Sequence, residues 1–131
     1  MTSNAKFFTV WLVGFILLVV FDMMWFAVSM PTVYKPLFYD IQKKFIFRVW
    51  SGIVVWMLIA LLLAIDKCWT IKHTPFDPRL LGFVYGFILY GVYNFTNHAT
   101  LYKYNLKVAL TDTLWGTLNV GITSLILGHI L

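Results

Sequence analysis

The sequence predicts an all-α membrane protein, a four-transmembrane-helix bundle with a short interfacial segment between helices 1 and 2. Three observations carry this. Of 131 residues, 61% are hydrophobic and only 11% charged; a soluble domain has about 25% charged residues, so too little polar surface exists to cover a water-soluble globule. Four apolar runs, at residues 7–30, 46–65, 79–99 and 107–129, have about the 20 residues needed to cross the hydrocarbon. The lysines and arginines gather mostly between those runs. The chain is therefore read as one integral membrane domain, 1–131, multi-pass, with the lipid bilayer as its first partner. The net charge of +5 would suggest nucleic acid in a soluble protein. Here headgroup phosphates are the nearer partner, and no nucleic acid is expected.

The first run, Phe7 to Met30, is too long for a signal-peptide core, and no small-residue cleavage site follows it. It is read as a retained span. Asp22 interrupts it, three residues before Trp25, so the two occupy neighbouring positions on one helix face. Pro31 is expected to end or kink the span. In residues 32–45, Tyr34, Leu37, Phe38, Ile41 and Phe45 recur at helical spacing among Lys35, Asp40, Lys43 and Lys44. That pattern suits a short helix in the headgroup plane.

The second run is almost purely apolar after Ser51. Nothing on it demands a protein partner, so it is the best candidate to face lipid. Asp66 and Lys67 mark its exit. Asp77-Pro78 reads as an N-cap with proline at the first helical position. The third run carries Gly82 and Gly86, a small-xxx-small spacing that lets two helix backbones approach. In the fourth run Asp112, Gly116, Asn119 and Thr123 follow at steps of four, three and four. They share one helix face, which must turn toward the other helices because a polar stripe is costly in lipid. The glycines at 82, 86 and 116 are read as packing positions.

With four spans, the first and third connections lie on the same side. Asp22 is late in span one, Asn94, Asn97 and His98 are late in span three, and Asp112 is early in span four. Topology alone thus gathers two carboxylates, two carboxamides and an imidazole at similar depth, with Trp25, Trp115 and Asn119 beside them. Such groups either bind or move something polar, or act as interhelical hydrogen-bond glue with the indole N–H groups as donors. Asp22, Asp112 and His98 could supply three metal ligands, but without metal-motif spacing, so neither metal nor cofactor is expected. Trp11, Trp50, Trp69, Tyr102 and Tyr104 read as interfacial anchors. The sequon Asn94-Phe95-Thr96 falls within a span and is discounted. The single cysteine, Cys68, excludes an intrachain disulfide. Lys35, Lys43, Lys44, Arg48, Lys103 and Lys107 outnumber Lys6, Lys67, Lys72 and Arg79, which leans toward cytoplasmic first and third connections.

At Asp22-x-x-Trp25, Tyr93-x-x-Thr96-Asn97-x-Ala99-Thr100 and Asp112-x-x-Trp115-Gly116 the chain resembles a family of small membrane proteins of unknown function, domain-of-unknown-function family 2177. The resemblance covers nearly the whole chain and implies the same four spans. Family members usually carry Asp after the motif tyrosine, where this chain has Asn94; if that acid is essential, activity here is lost or altered. The resemblance points mostly to bacteria, with similar chains in large DNA viruses.

The expected function is a small integral membrane protein with a one-sided Asp/Asn/His intramembrane site that moves protons, cations or a small solute. Four short spans enclose little space, so a pore implies a homo-oligomer. The alternative is a structural component of a larger assembly, with membrane or capsid protein partners. An enzyme is not expected: no nucleophile-plus-base arrangement and no phosphate loop is present, which leaves only a lipid-modifying acid–base role for the Asp/His group.

Overall fold

The computed structural model describes residues 2–45, 47–69 and 77–130. Helix α1 spans Ser3–Ser29, a π turn Met30–Tyr34, α2 Lys35–Gln42, α3 Val49–Trp69, a 3-10 turn Pro78–Leu80, α4 Leu81–Thr100 and α5 Leu106–Ile130. The described residues contain no strand. The loop expected between the second and third spans falls largely on 70–76, and the start of the second span on Ile46, both outside the described residues.

Of the two outcomes expected at Pro31, an end or a kink, the helix does not end there. Proline has no N–H for the i→i−4 ladder, and the chain widens by one residue into the π turn, where Lys35 N–H bonds Met30 C=O. Such π insertions recur at functional sites. Here the turn leaves Tyr34 buried. Helix continues through α2 and stops where Lys43 adopts a left-handed conformation, φ 65°. The expected amphipathic segment is thus a helix continuous with α1. Its inner face, with Tyr34 and Leu37, packs on Tyr104, Val108 and Ala109 at the α4–α5 end. Lys103 reaches Asp40 at 3.4 Å there.

Asp77 caps the 3-10 turn as the sequence suggests, accepting from Arg79 N–H at 3.0 Å. Helices α4 and α5 form the tightest pair, α1 packs on α3, and α1 joins the two pairs by packing on α5; α3 and α4 have little mutual contact. Glycines set the α4–α5 approach. A Cβ at Gly86 would lie 2.5 Å from Gly116 C=O, and one at Gly82 2.2 Å from Ser124 Cβ. Gly116 in turn receives the Tyr90 ring, 1.9 Å from where its Cβ would be.

The polarity of the bundle is inside-out relative to a soluble protein. Asp22, Asn94, Asp112, Asn119, Thr123 and Ser124 are buried, while Leu12, Met24, Leu58, Phe87, Val92 and Leu114 are exposed. Exposed apolar surface this extensive needs a lipid or protein partner. Ser3–Gln42 and α3 are long and apolar enough to cross a membrane by length and composition. Helices α4 and α5 have 20 and 25 residues, enough for about 30 Å or more of rise. The polar groups they bring to the site make them less apolar than α1 and α3.

Candidate functional site

Asp22 sits in the last third of an apolar helix and is only 4% exposed. A carboxylate there must find donors, and it finds three on two other helices. Trp56 of α3 donates its indole N–H to Oδ2 at 2.6 Å. Trp115 and Asn119 of α5 donate to Oδ1 at 2.8 and 3.0 Å. The Asn119 amide also lies 3.4 Å from Leu18 C=O, and Thr123 donates to its Oδ1 at 3.4 Å. One side chain therefore ties α1, α3 and α5 together.

Asp112 ties the other half. The Tyr34 hydroxyl donates to its Oδ1, and Asn94 of α4 donates from Nδ2 to its Oδ2 at 2.6 Å. Asn94 is fully buried and fully used. Its amide also donates to Tyr90 C=O at 2.9 Å, and its Oδ1 accepts from the Tyr104 hydroxyl at 2.6 Å. Nδ2 has two protons and Oδ1 accepts, so an asparagine fits where a carboxylate would face Asp112 with no donor.

The two halves are joined through aromatics. Trp25 and Trp115 stack with centroids 5.1 Å apart and planes at 13°. Trp115 ends on Asp22, whereas the Trp25 N–H goes to the Tyr34 hydroxyl at 3.1 Å. A continuous path runs Asp22, Trp115, Trp25, Tyr34, Asp112.

Both carboxylates also line one cavity of about 600 Å³ between the α1–α3 and α4–α5 pairs. Its polar floor adds Tyr34, Trp56, Tyr90 and Tyr104, and its walls are apolar, among them Phe26, Phe38, Leu58 and Leu89. Sites for small molecules have this size and makeup, mostly apolar with a few convergent polar groups. The cavity thus sets a few convergent polar groups in a mostly apolar lining. Among the described residues no group of three His, Cys, Asp or Glu side chains is placed to hold a metal ion.

The structure brings together Asp22, Trp25, Asn94, Asp112, Trp115 and Asn119, but not every expected residue. His98 is exposed, with its ring 6.5 Å from Phe95. It lies a full turn beyond Asn94, and Tyr104 folds back over Asn94 in its stead. Asn97 is half-buried at the margin. Four contributors were not anticipated: Tyr34, Trp56, Tyr90 and Tyr104. The second apolar helix is not a purely lipid-facing element, because Trp56, Ile59, Ala60, Leu63 and Ala64 are buried. Tyr104 is not an interfacial anchor but 2% exposed. Trp11 donates to Met57 C=O at 2.9 Å, tying α1 to α3. Trp50 and Tyr102 remain exposed, as anchors would be.

The family model described as "Predicted membrane protein (DUF2177)" matches residues 7–128. No curated protein and no solved structure matches the chain. With almost all of its length matched, and with apolar residues outside and carboxylates inside, the chain belongs to this family of membrane proteins of unknown function.

Proposed function

We propose that the protein crosses the membrane four times and binds a small solute with an apolar body and a cationic or hydrogen-bond-donating end, as a step in moving it. The observation that carries this is Asp22 and Asp112 lining one cavity of about 600 Å³. A cation or donor at the floor meets two carboxylates and three phenols; the rest of the solute meets Phe, Leu and Met side chains. The limited contact between α3 and α4 makes the seam between them the natural entry. The reading is one of binding and passage, not catalysis. Passage across the full bilayer calls for a second copy, since four short spans enclose little space.

The test uses purified protein in liposomes, with alkylammonium ions of graded chain length as probes. Quenching of tryptophan fluorescence reports occupancy of the floor, where Trp56 lies, and uptake reports passage. Asp22→Asn and Asp112→Asn each weaken binding about tenfold or more, the loss of a charge-assisted interaction, and slow uptake. Wild-type binding and uptake in both variants would remove the proposal.

A second reading is favoured by one observation: both carboxylates already accept hydrogen bonds from the protein, three at Asp22 and two at Asp112. In that reading they are interhelical glue in a structural component of a larger membrane assembly. The same Asp→Asn variants would then lower stability or assembly, and no probe would bind the wild type.

A further inference from the structure

The opposite end of the bundle holds a second, smaller cavity of about 390 Å³, lined by Lys67, Arg79, Ser124, Leu125, Gly128 and His129. Ser124 lies twelve residues beyond Asp112, so the two sites are about 18 Å apart along α5. We infer that this cavity binds a phosphate group, presented by a lipid headgroup or as a free anion, between the end of α3, the start of α4 and the end of α5.

Three observations converge. Ser124 is fully buried, and its hydroxyl is the one buried side-chain polar atom among the described residues that has no hydrogen-bond partner. An unpaired buried donor is costly and calls for a ligand. The Lys67 side chain is only 12% exposed, and its nearest carboxylate, Asp66, is 3.9 Å away, beyond hydrogen-bond distance. Asp66 is itself engaged by the Tyr85 hydroxyl at 2.8 Å. Among the described residues the ammonium thus has no hydrogen-bond acceptor, and Gly128 makes room for it: Nζ lies 3.4 Å from where a Cβ at 128 would be. Arg79 brings a second cation. Its Nε and Nη2 hold Asp77, and among the described residues Nη1 of this five-donor guanidinium has no partner. His129 closes the rim.

Two cations, one hydroxyl donor and an imidazole around a small cavity suit the oxygens of a phosphate. Asp66 and Asp77 balance the formal charge, so the ligand is one that needs donors as well as attraction. The site also sits where α3 ends and α4 begins, the depth of headgroups for helices of this length, and basic pockets between spans are headgroup sites.

The experiment measures thermal unfolding of the full chain in a nonionic detergent while titrating three probes: inorganic phosphate, short-chain phosphatidylglycerol and short-chain phosphatidylcholine. Stabilisation by at least one probe is expected. It weakens about tenfold in Lys67→Gln, the loss of a charge-assisted hydrogen bond, and falls less in Ser124→Ala and Arg79→Gln. Arg79 is exposed, so its variant folds even if Lys67→Gln does not. Stabilisation by lipid but not phosphate assigns the headgroup as source; stabilisation by phosphate assigns the free anion. No stabilisation by any probe, or stabilisation of equal affinity in the variants, overturns the inference. The cavity floor at Asp22 and Asp112 is untouched by these substitutions, so alkylammonium binding there is unchanged in all three.

Discussion

Tyr34→Phe is the cleanest perturbation of the polar cluster, because it removes one oxygen and almost no volume. That oxygen does two jobs: it donates to Asp112 and accepts from the Trp25 indole. Without it, one oxygen of Asp112 loses its donor and the Trp25 N–H loses its acceptor. A hydrogen bond to a charged group contributes about 1.5–3 kcal/mol in soluble proteins, while interhelical bonds in membranes average about 0.6 and reach about 1.7 kcal/mol. Two bonds lost together, one of them to a carboxylate, place the cost at about 1.5–3 kcal/mol. Tyr104→Phe removes a single bond between uncharged groups, to Asn94, and costs about 1 kcal/mol. Tyr39 is exposed, and Tyr39→Phe stays within about 0.5 kcal/mol of wild type. The assay is reversible unfolding in mixed micelles with a denaturing detergent, followed by tryptophan fluorescence. In a double-mutant cycle Tyr34→Phe and Asp112→Asn couple by about 1 kcal/mol or more, as residues in one network do. If Tyr34→Phe matched Tyr39→Phe, or the cycle showed no coupling, the hydrogen bonds that Tyr34 makes to Asp112 and Trp25 would not be what holds the helices.

Three further outcomes are expected. Gly86→Ala drives a Cβ against backbone atoms of Gly116 and Thr117, at 2.5 and 2.9 Å, and costs about 1–3 kcal/mol; Gly91→Ala meets only Thr113 Cγ2 at 3.9 Å and leaves stability unchanged or raised by up to about 1 kcal/mol, both read in the same unfolding assay. His98→Ala leaves stability and alkylammonium binding at wild-type values, since the imidazole stands outside the cluster. The Asp77 carboxyl is lowered from 3.8 to about 2, first by the Arg79 side chain and then by the Arg79 backbone N–H; a lowered carboxylate contributes above its ordinary pKa and loses that contribution as pH falls, so the cap of the 3-10 turn before α4 is intact at neutral pH and released toward pH about 2, visible as an NMR titration of Asp77 that moves up in Arg79→Gln.

Much of the site was legible because polar residues in apolar helices have few places to go. Asp22, Asp112, Asn94 and Asn119 had to face other helices, and chain topology gathered them around the two carboxylates that line one cavity. Gly82 and Gly86 were legible because small residues at spacing four mark a close approach, and Gly116 because it lies on the polar stripe with Asp112 and Asn119. What was not legible involved aromatic residues with polar tips. Trp56 sits in a run that reads as lipid-facing, and Tyr34 and Tyr104 sit near span ends, where tyrosine also serves as an interfacial anchor. Composition is the same in both roles; only the register of the π turn and the fold-back of residues 101–105 decide which. Pro31 pointed to an end or a kink, and residue type alone does not say that a π turn carries the helix past it. His98 misled because spacing along a helix fixes a face but not where the neighbouring helix stops covering it.

The most direct test of the central claim is solid-state NMR of the protein in liposomes, reading dipolar couplings between Asp carboxyl carbons and side-chain nitrogens. The account predicts cross-peaks from Asp22 to the Trp56 and Trp115 indole nitrogens, and from Asp112 to the Asn94 amide nitrogen. Contacts from either carboxyl carbon to lipid acyl chains, with those cross-peaks missing, would contradict it.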